Sequence, residues 1–302
     1  MGDHHEAVEG HVSEPTRMVL FGMNGQVGAR LMETLVQAGY EVTGIDRARC
    51  DLASATPKDI AVIIRAVEPS LVINASAYNA VDAAEGNAVM AERINGDIPT
   101  LMAHAAMEQG VPFLHFSTAY VVDGGQGAPY REDASVNPIN AYAISKRAGE
   151  LGVRAHGGHV VRLQWVFDAR GKNFFLTMKK LLAQRDELRV VADQLGAPSN
   201  ALHIAQAITK AVPMMMDGRL PADMYHLTAD GYTSWHGFAC AIAAATHSAA
   251  RVLPIVTAEY PTPAARPKDS RLNSSALASH GIAMPHWRNG LTQATRDLHE
   301  NS

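Results

Sequence analysis

Tyr142 and Lys146 stand four residues apart in the run NAYAISKRAGE, a spacing that puts both side chains on one face of a helix. A phenol titrates at about 10 and exchanges its proton poorly at neutral pH until a neighbouring ammonium favours its charged form. Lysine at this offset is expected to supply that charge. An apolar run over residues 112–117 comes before the pair and leads into Thr118, whose hydroxyl can hydrogen-bond a carbonyl oxygen. Thr118, Tyr142 and Lys146 therefore suit a reaction that places a proton on an oxygen while the attached carbon is reduced. The plain alternative is a packed tyrosine beside a solvated lysine, and a second motif weighs against it.

That motif is GMNGQVG, with Gly22, Gly25 and Gly28 directly after an apolar run and at the start of an amphipathic one. Glycines there let the backbone turn sharply and approach a pyrophosphate, whose charge is favoured by the free amides of a helix N-terminus. Asn24, Gln26 and Val27 complete the turn. The spacing is GxxGxxG instead of the commoner GxGxxG. Asp46 lies at the distance where a carboxylate accepts hydrogen bonds from ribose hydroxyls and favours NADH, and the adjacent Arg47 suits the extra phosphate of NADPH. Asp46 as a simple turn cap is the other reading. Asp51 and Leu52 are placed beside the adenine, Ala75, Ser76, Ala77 and Tyr78 along the dinucleotide cleft, and Asn95 with the cofactor contacts.

The elements that must hold these groups follow from the pattern. Short apolar runs at 18–21, 41–46, 71–74, 112–117 and 159–166 alternate with helical patterns at 26–38, 57–67, 88–109 and 140–152. This β-α-β rhythm predicts an α/β protein with a doubly wound parallel sheet of the Rossmann type. Later helices are expected at 173–184, 201–216 and 235–246, with a strand at 225–227. Prolines at 254, 261, 263, 267 and 285 predict an irregular tail. The chain is thus divided into a disordered lead-in (1–16), a dinucleotide-binding domain (17–167, rejoined near 200–228) and a smaller C-terminal substrate-binding lobe (168–199 and 229–302).

With 302 residues, 47% hydrophobic, and a formal net charge of −4, the chain can bury a large core and carries no basic block to attract nucleic acid or an anionic membrane. Cys50 and Cys240 lack the spacing of a zinc site or a disulfide framework, which predicts a cytoplasmic enzyme with two plain thiols. His4, His5 and His11 lie in the lead-in, where no rigid element would fix a metal, and none is assigned.

The stretches GMNGQVG, VINASAYNAVDAAE, FSTAYVVDG, PYREDASVNPINAYAISKRAGE, RLQWVF, GKNFF, RDELRVVADQLGAPS, YHLTADGYTSW and ARPKDSRLNSSAL resemble the dTDP-4-dehydrorhamnose reductase family, extended short-chain dehydrogenase/reductases, over nearly all of residues 18–298. The resemblance implies NADPH or NADH as cofactor and a dTDP-linked 4-keto-6-deoxyhexose as substrate, and it is compatible with a homodimer. It implies that Tyr142 protonates the new oxyanion, that Lys146 holds the nicotinamide ribose and lowers the tyrosine pKa, and that Thr118 polarises the carbonyl. It places Ala119, Tyr120, Trp165 and Asn173 around the sugar and Arg266 at the substrate diphosphate. An ordinary core tryptophan and a surface ion pair are the alternatives for Trp165 and Arg266. The chain departs from the family's STDYVF at Ser117–Val122, with Ala119 and Val122, from its TSW at Leu163-Gln164-Trp165, and from its PTYA at Pro198-Ser199-Asn200-Ala201. These changes bear on the sugar accepted more than on hydride transfer. A nucleotide-sugar epimerase and a non-catalytic cofactor-binding regulatory subunit are the alternative functions.

Overall fold

The computed structural model describes residues 15–300. The expected lead-in and its histidines fall outside the described residues, apart from Pro15 and Thr16. The first half comprises β1 (Arg17–Phe21), α1 (Gln26–Gln37), β2 (Glu41–Ile45), α2 (Pro57–Val67), β3 (Leu71–Asn74), α3 (Val81–Ala84), α4 (Ala88–Glu92), a π-helical segment (Arg93–Asp97), α5 (Ile98–Glu108), β4 (Phe113–Thr118) and α6 (Ala141–Ala155). There follow β5 (His159–Leu163), β6 (Val166–Phe167), α7 (Phe174–Leu182), β7 (Glu187–Val191), β8 (Leu195–Gly196), β9 (Ser199–Asn200), α8 (Ala201–Met216) and β10 (Met224–His226). The chain continues through β11 (Thr233–Ser234), α9 (Trp235–Ala245), β12 (Arg251–Ile255), α10 (Ser275–Ser279) and α11 (Trp287–Glu300).

Six strands form one sheet in the order β2-β1-β3-β4-β5-β10, every neighbouring pair parallel. β3, β4 and β5 are buried along their whole length, as a parallel sheet covered on both faces requires. The winding direction reverses between β1 and β3, and the carboxyl ends of those strands open the crevice where such sheets take their ligands. β10 joins the sheet at the edge beside β5, and α8 packs on α1.

Three expectations are corrected. The helix read as continuous over 88–109 is two α-helices joined by the π-helical segment. Pro99 cannot donate to the carbonyl of Asn95, and the wider ladder absorbs that loss. The strand read over 159–166 ends at Leu163, because Trp165 adopts the left-handed conformation (φ 43°) and breaks the pairing. Finally, the supposedly irregular tail contains β12, paired in parallel with β7, and the helix α11. Pro254 is tolerated in β12 because a two-stranded ribbon leaves one side of each strand free of ladder bonds. Helix α11 buries Trp287, Gly290, Leu291 and Ala294, the single face expected at helical spacing.

α11 is also tied to α1. Arg30 is buried and donates to both carboxylate oxygens of Asp168 at 2.7 Å and to Asp297 at 2.5 Å. One guanidinium thus joins the helix behind the glycine turn to the segment just after β6 and to α11.

Candidate active site

The glycine turn sits at the reversal of the sheet. Gly22 has φ +80°, and a Cβ there would lie 2.5 Å from the amide nitrogen of Ser76. A Cβ on Gly28 would overlap the carbonyl oxygen of Gly22. Backbone closeness thus requires both glycines. Gly25 is the N-cap of α1, with no side-chain cap and no acidic residue in the first turn. The exposed amides of that turn remain available to an anion. A cleft of about 480 Å³ extends from here over Asn24, Asp46, Arg47, Asp51, Leu52 and residues 75–78. The absence of Cβ atoms, the uncapped helix start and the length of the groove fit a dinucleotide.

Two of the polar groups in this half are spoken for. Asp46 Oδ1 accepts from the amide of Arg49 at 3.0 Å, which is the turn-capping role, and the exposed Arg47 pairs with Asp51 at 3.3 Å. Asn95 does not line either half of the cleft. It is fully buried, accepts from the Tyr78 amide at 2.8 Å and donates to the Tyr78 carbonyl and to Ser145 Oγ. It therefore positions the strip that forms the cleft wall.

A second cleft of about 480 Å³ shares Gly25, Ala75, Ser76 and Ala77 with the first and continues past Gln26 and Val27. It brings together Thr118, Ala119, Tyr120, Tyr142, Lys146, Trp165 and Asn173 from separate regions of the chain. Asn140 caps α6 by accepting from the Ala143 amide at 2.7 Å, which starts the helix just before Tyr142. Deeper along α6, the buried Glu150 accepts from Arg162 at 2.7 and 2.8 Å, from Arg147 at 2.8 Å and from Ser117 Oγ at 2.7 Å. Burial pushes its pKa up, but these partners hold the carboxylate below its ordinary range. Glu150 thereby fastens α6 to β4 and β5.

Tyr142 and Lys146 share one cleft, but the expected acidification of the phenol is not what the geometry gives. Burial pushes the Tyr142 hydroxyl up to about 12, against the opposing influence of the Thr118 hydroxyl, and nearby Tyr120 adds to the rise. The Tyr120 and Tyr142 rings meet edge-on at 6.4 Å. Lys146 Nζ instead donates to the carbonyl of Phe116 at 2.6 Å and lies 3.4 Å from His115 Nε2. Burial lowers the lysine to about 7, with Glu150 pulling the other way. The four-residue offset fixes a shared helix face, whereas the direction of the ammonium is decided by β4.

The second cleft has an aromatic wall. The Trp165 and Trp235 rings stack 3.7 Å apart with planes 16° from parallel, and Phe174 lies 4.6 Å from Trp235. Gln164 holds Trp165 in its uncommon backbone conformation: its amide donates to Ser270 Oγ at 2.8 Å, and its oxygen accepts from the Ala197 amide at 2.8 Å. Asn173 lines the cleft while capping α7 through the Leu176 amide and donating to Gln26 Oε1 at 2.9 Å. Arg266 is not among the residues lining the cleft; it pairs with both oxygens of Asp82 at 3.0 and 2.8 Å and meets the Tyr120 side chain, which does line it. Trp235, Phe174 and Lys172 also line the cleft, and sequence reasoning misses them. Each nevertheless stands in a stretch that carries the family resemblance, Lys172 and Phe174 in GKNFF and Trp235 as the last residue of YHLTADGYTSW.

Residues 16–300 match the family described as the RmlD substrate binding domain. A dTDP-4-dehydrorhamnose reductase of Burkholderia thailandensis is 41% identical over 297 residues, covering 93% of this chain and 99% of that protein. The crystal structure of a dTDP-4-dehydrorhamnose reductase from Clostridium acetobutylicum matches with a TM-score of 0.88 at 31% identity, over 94% of this chain and 100% of that one. The enzyme of the same name from Bacillus anthracis, solved in complex with NADP, matches with a TM-score of 0.86 at 31% identity over 94% and 99% of the two chains. With the glycine cradle, the paired Tyr142 and Lys146 and these similarities in place, this chain belongs to the dTDP-4-dehydrorhamnose reductase family.

Proposed function

We propose that this protein is an NAD(P)H-dependent reductase of the 4-keto group of a nucleotide-linked 6-deoxyhexose, with dTDP-4-dehydrorhamnose as substrate and dTDP-L-rhamnose as product. The observation that carries this reading is the position of Tyr142, which lines the sugar half of the cleft beside Thr118, with Lys146 one turn along the same helix. The reduced dinucleotide, when bound, supplies the hydride. Gly22, Gly25, Gly28 and the first amides of α1 hold its pyrophosphate. Thr118 donates a hydrogen bond to the substrate carbonyl and orients it toward Tyr142.

Tyr142 enters the reaction as a protonated phenol, the form favoured by its burial, and gives its proton to the oxygen as negative charge develops there. Lys146, when charged, offsets the phenolate left behind. Trp165 and Trp235 wall the hexose, and Lys172 is the cation of this rim that meets the substrate diphosphate, a role for which Arg266 is less suited because Asp82 neutralises it. The lobe of residues 168–199 and 229–300 closes the sugar end.

Incubation with NADPH or NADH and dTDP-4-dehydrorhamnose tests the reading through loss of the reduced-nicotinamide absorbance and appearance of the 6-deoxyhexose product. Absence of turnover with every nucleotide keto-sugar offered overturns it. An epimerase would instead retain tightly bound NAD through purification and turn over without net consumption of reduced cofactor.

A further inference from the structure

A hydrogen-bonded chain runs beneath the cleft from the crevice wall to Lys146, and its polarity is fixed at one end. The backbone amide of Ser76 can only donate, and it meets Asn74 Oδ1 at 2.9 Å. The Asn74 amide nitrogen must then be the atom that faces His115 Nδ1 at 3.2 Å. Because that nitrogen carries only donors, His115 Nδ1 must accept, and the ring proton sits on Nε2. His115 Nε2 in turn lies 3.4 Å from Lys146 Nζ, whose other contact is donation to the Phe116 carbonyl. An ammonium here sets a donor against a donor, whereas a free amine offers its lone pair to the imidazole N–H.

We infer that His115, locked by Asn74 as the Nε2–H tautomer, is a positioning residue that biases Lys146 toward the free amine and so sets the pH at which the lysine changes charge. His115, Asn74 and Lys146 are all essentially buried, so water does not relax the conflict. The direction agrees with the low proton affinities of both His115 and Lys146: burial is the largest contributor to each, the Lys146 charge lowers His115 further, and the Asn74 carbonyl opposes it. The other ionisable groups facing this region are few. On α6, Tyr142 shares the cleft and Glu150 favours the ammonium. On β5, Arg162 is bound to Glu150, and on α4 Glu92 turns toward Gly96 of the π-helical segment. Lys146 thus carries its charge in the acidic part of the working range and sheds it above.

This inference rests on the reductase reading only for its kinetic consequence, and the direct test needs no turnover. Imidazole ¹⁵N spectra of the whole protein should show His115 as the neutral Nε2–H tautomer throughout the neutral range, and the ¹³Cε signal of Lys146 should titrate well below an ordinary lysine. In Asn74→Asp the added acceptor reverses the tautomer, so Nε2 accepts from Lys146 and the titration should move up by about one unit or more. His115→Phe, which removes the opposing N–H, should move it the same way, and the basic limb of the kcat profile should follow in both variants. An Nδ1–H or doubly protonated His115 in the unaltered protein, or a Lys146 titration unmoved in both variants, overturns the inference. Lack of keto-sugar turnover with these signatures intact counts against the reductase reading alone.

Discussion

Glu150 and Arg162 meet through two parallel hydrogen bonds, 2.7 and 2.8 Å long, in a site where neither side chain reaches solvent. Replacing Glu150 with alanine leaves a buried guanidinium without its partner, an outcome that costs about 3–5 kcal/mol. Urea unfolding should show a loss of that order for Glu150→Ala. A stability within ~1 kcal/mol of wild type would mean that α6 is held by other contacts.

Tyr142→Phe removes the hydroxyl proposed as the proton donor while keeping the ring. Proton transfer by a positioned side chain contributes roughly 10²–10⁴ in rate, so kcat for the keto-sugar should fall by that factor. Binding of reduced dinucleotide, followed by its fluorescence, should change less than about threefold, because the proposed proton transfer is to the substrate oxygen.

Gly28→Ala should weaken dinucleotide binding at least tenfold, since the new methyl group overlaps the Gly22 carbonyl and forces the turn open. Fluorescence titration with NADPH checks this. Gly110→Ala is the control: its site is left-handed (φ +66°) with nothing within 4 Å of the added carbon, so it strains the backbone far from the cradle and should leave dinucleotide binding unchanged.

Trp235→Ala removes one plate of the stacked pair and leaves Trp165 without its support. The KM for the keto-sugar should rise by about tenfold, the scale of a lost aromatic contact and its burial. The dissociation constant for dinucleotide should change far less, because Trp235 lines only the second cleft and not the one that runs over Asp46 and Asp51.

Lys146 binds its proton less tightly in the fold, at about 7, than as an ordinary lysine at 10.5. The unfolded chain therefore holds more protons between those values, and this group's contribution to stability rises with pH across the interval. Lys146→Met should raise the melting temperature by a few degrees at pH about 6, with the gain shrinking as pH climbs toward about 10. Thermal melts over that range check the sign: a gain that grows with pH would contradict it.

The sheet and the cradle are legible in the sequence because their physics is local. Runs such as Leu71–Asn74 must be buried on both faces, and Gly22 and Gly28 stand where a side chain cannot. The geometry around Lys146 is not legible. Residue spacing reports which helix face a side chain occupies, but the partner that orients the ammonium, His115, comes from a strand 31 residues earlier and reads there as one more buried position. Gln164 reads as a departure near the sugar pocket, and its work, bolting residues 197 and 270 to the base of Trp165, depends on contacts 33 and 106 residues away. Pro254 reads as a breaker because sequence does not reveal which strand lies at an edge.

The clamp on Arg30 couples synthesis to function. Its charge is set in the first helix, yet Asp168 and Asp297 emerge from the ribosome 138 and 267 residues later. Until α11 arrives, Arg30 has Asp168 and Glu33 as partners but lacks the bond that ties its helix to α11, which favours a loosened nascent state over a finished one. A chain arrested before Asp297 would leave the cradle poorly seated, so nascent fragments should capture nucleotide weakly, and competence should appear late in translation.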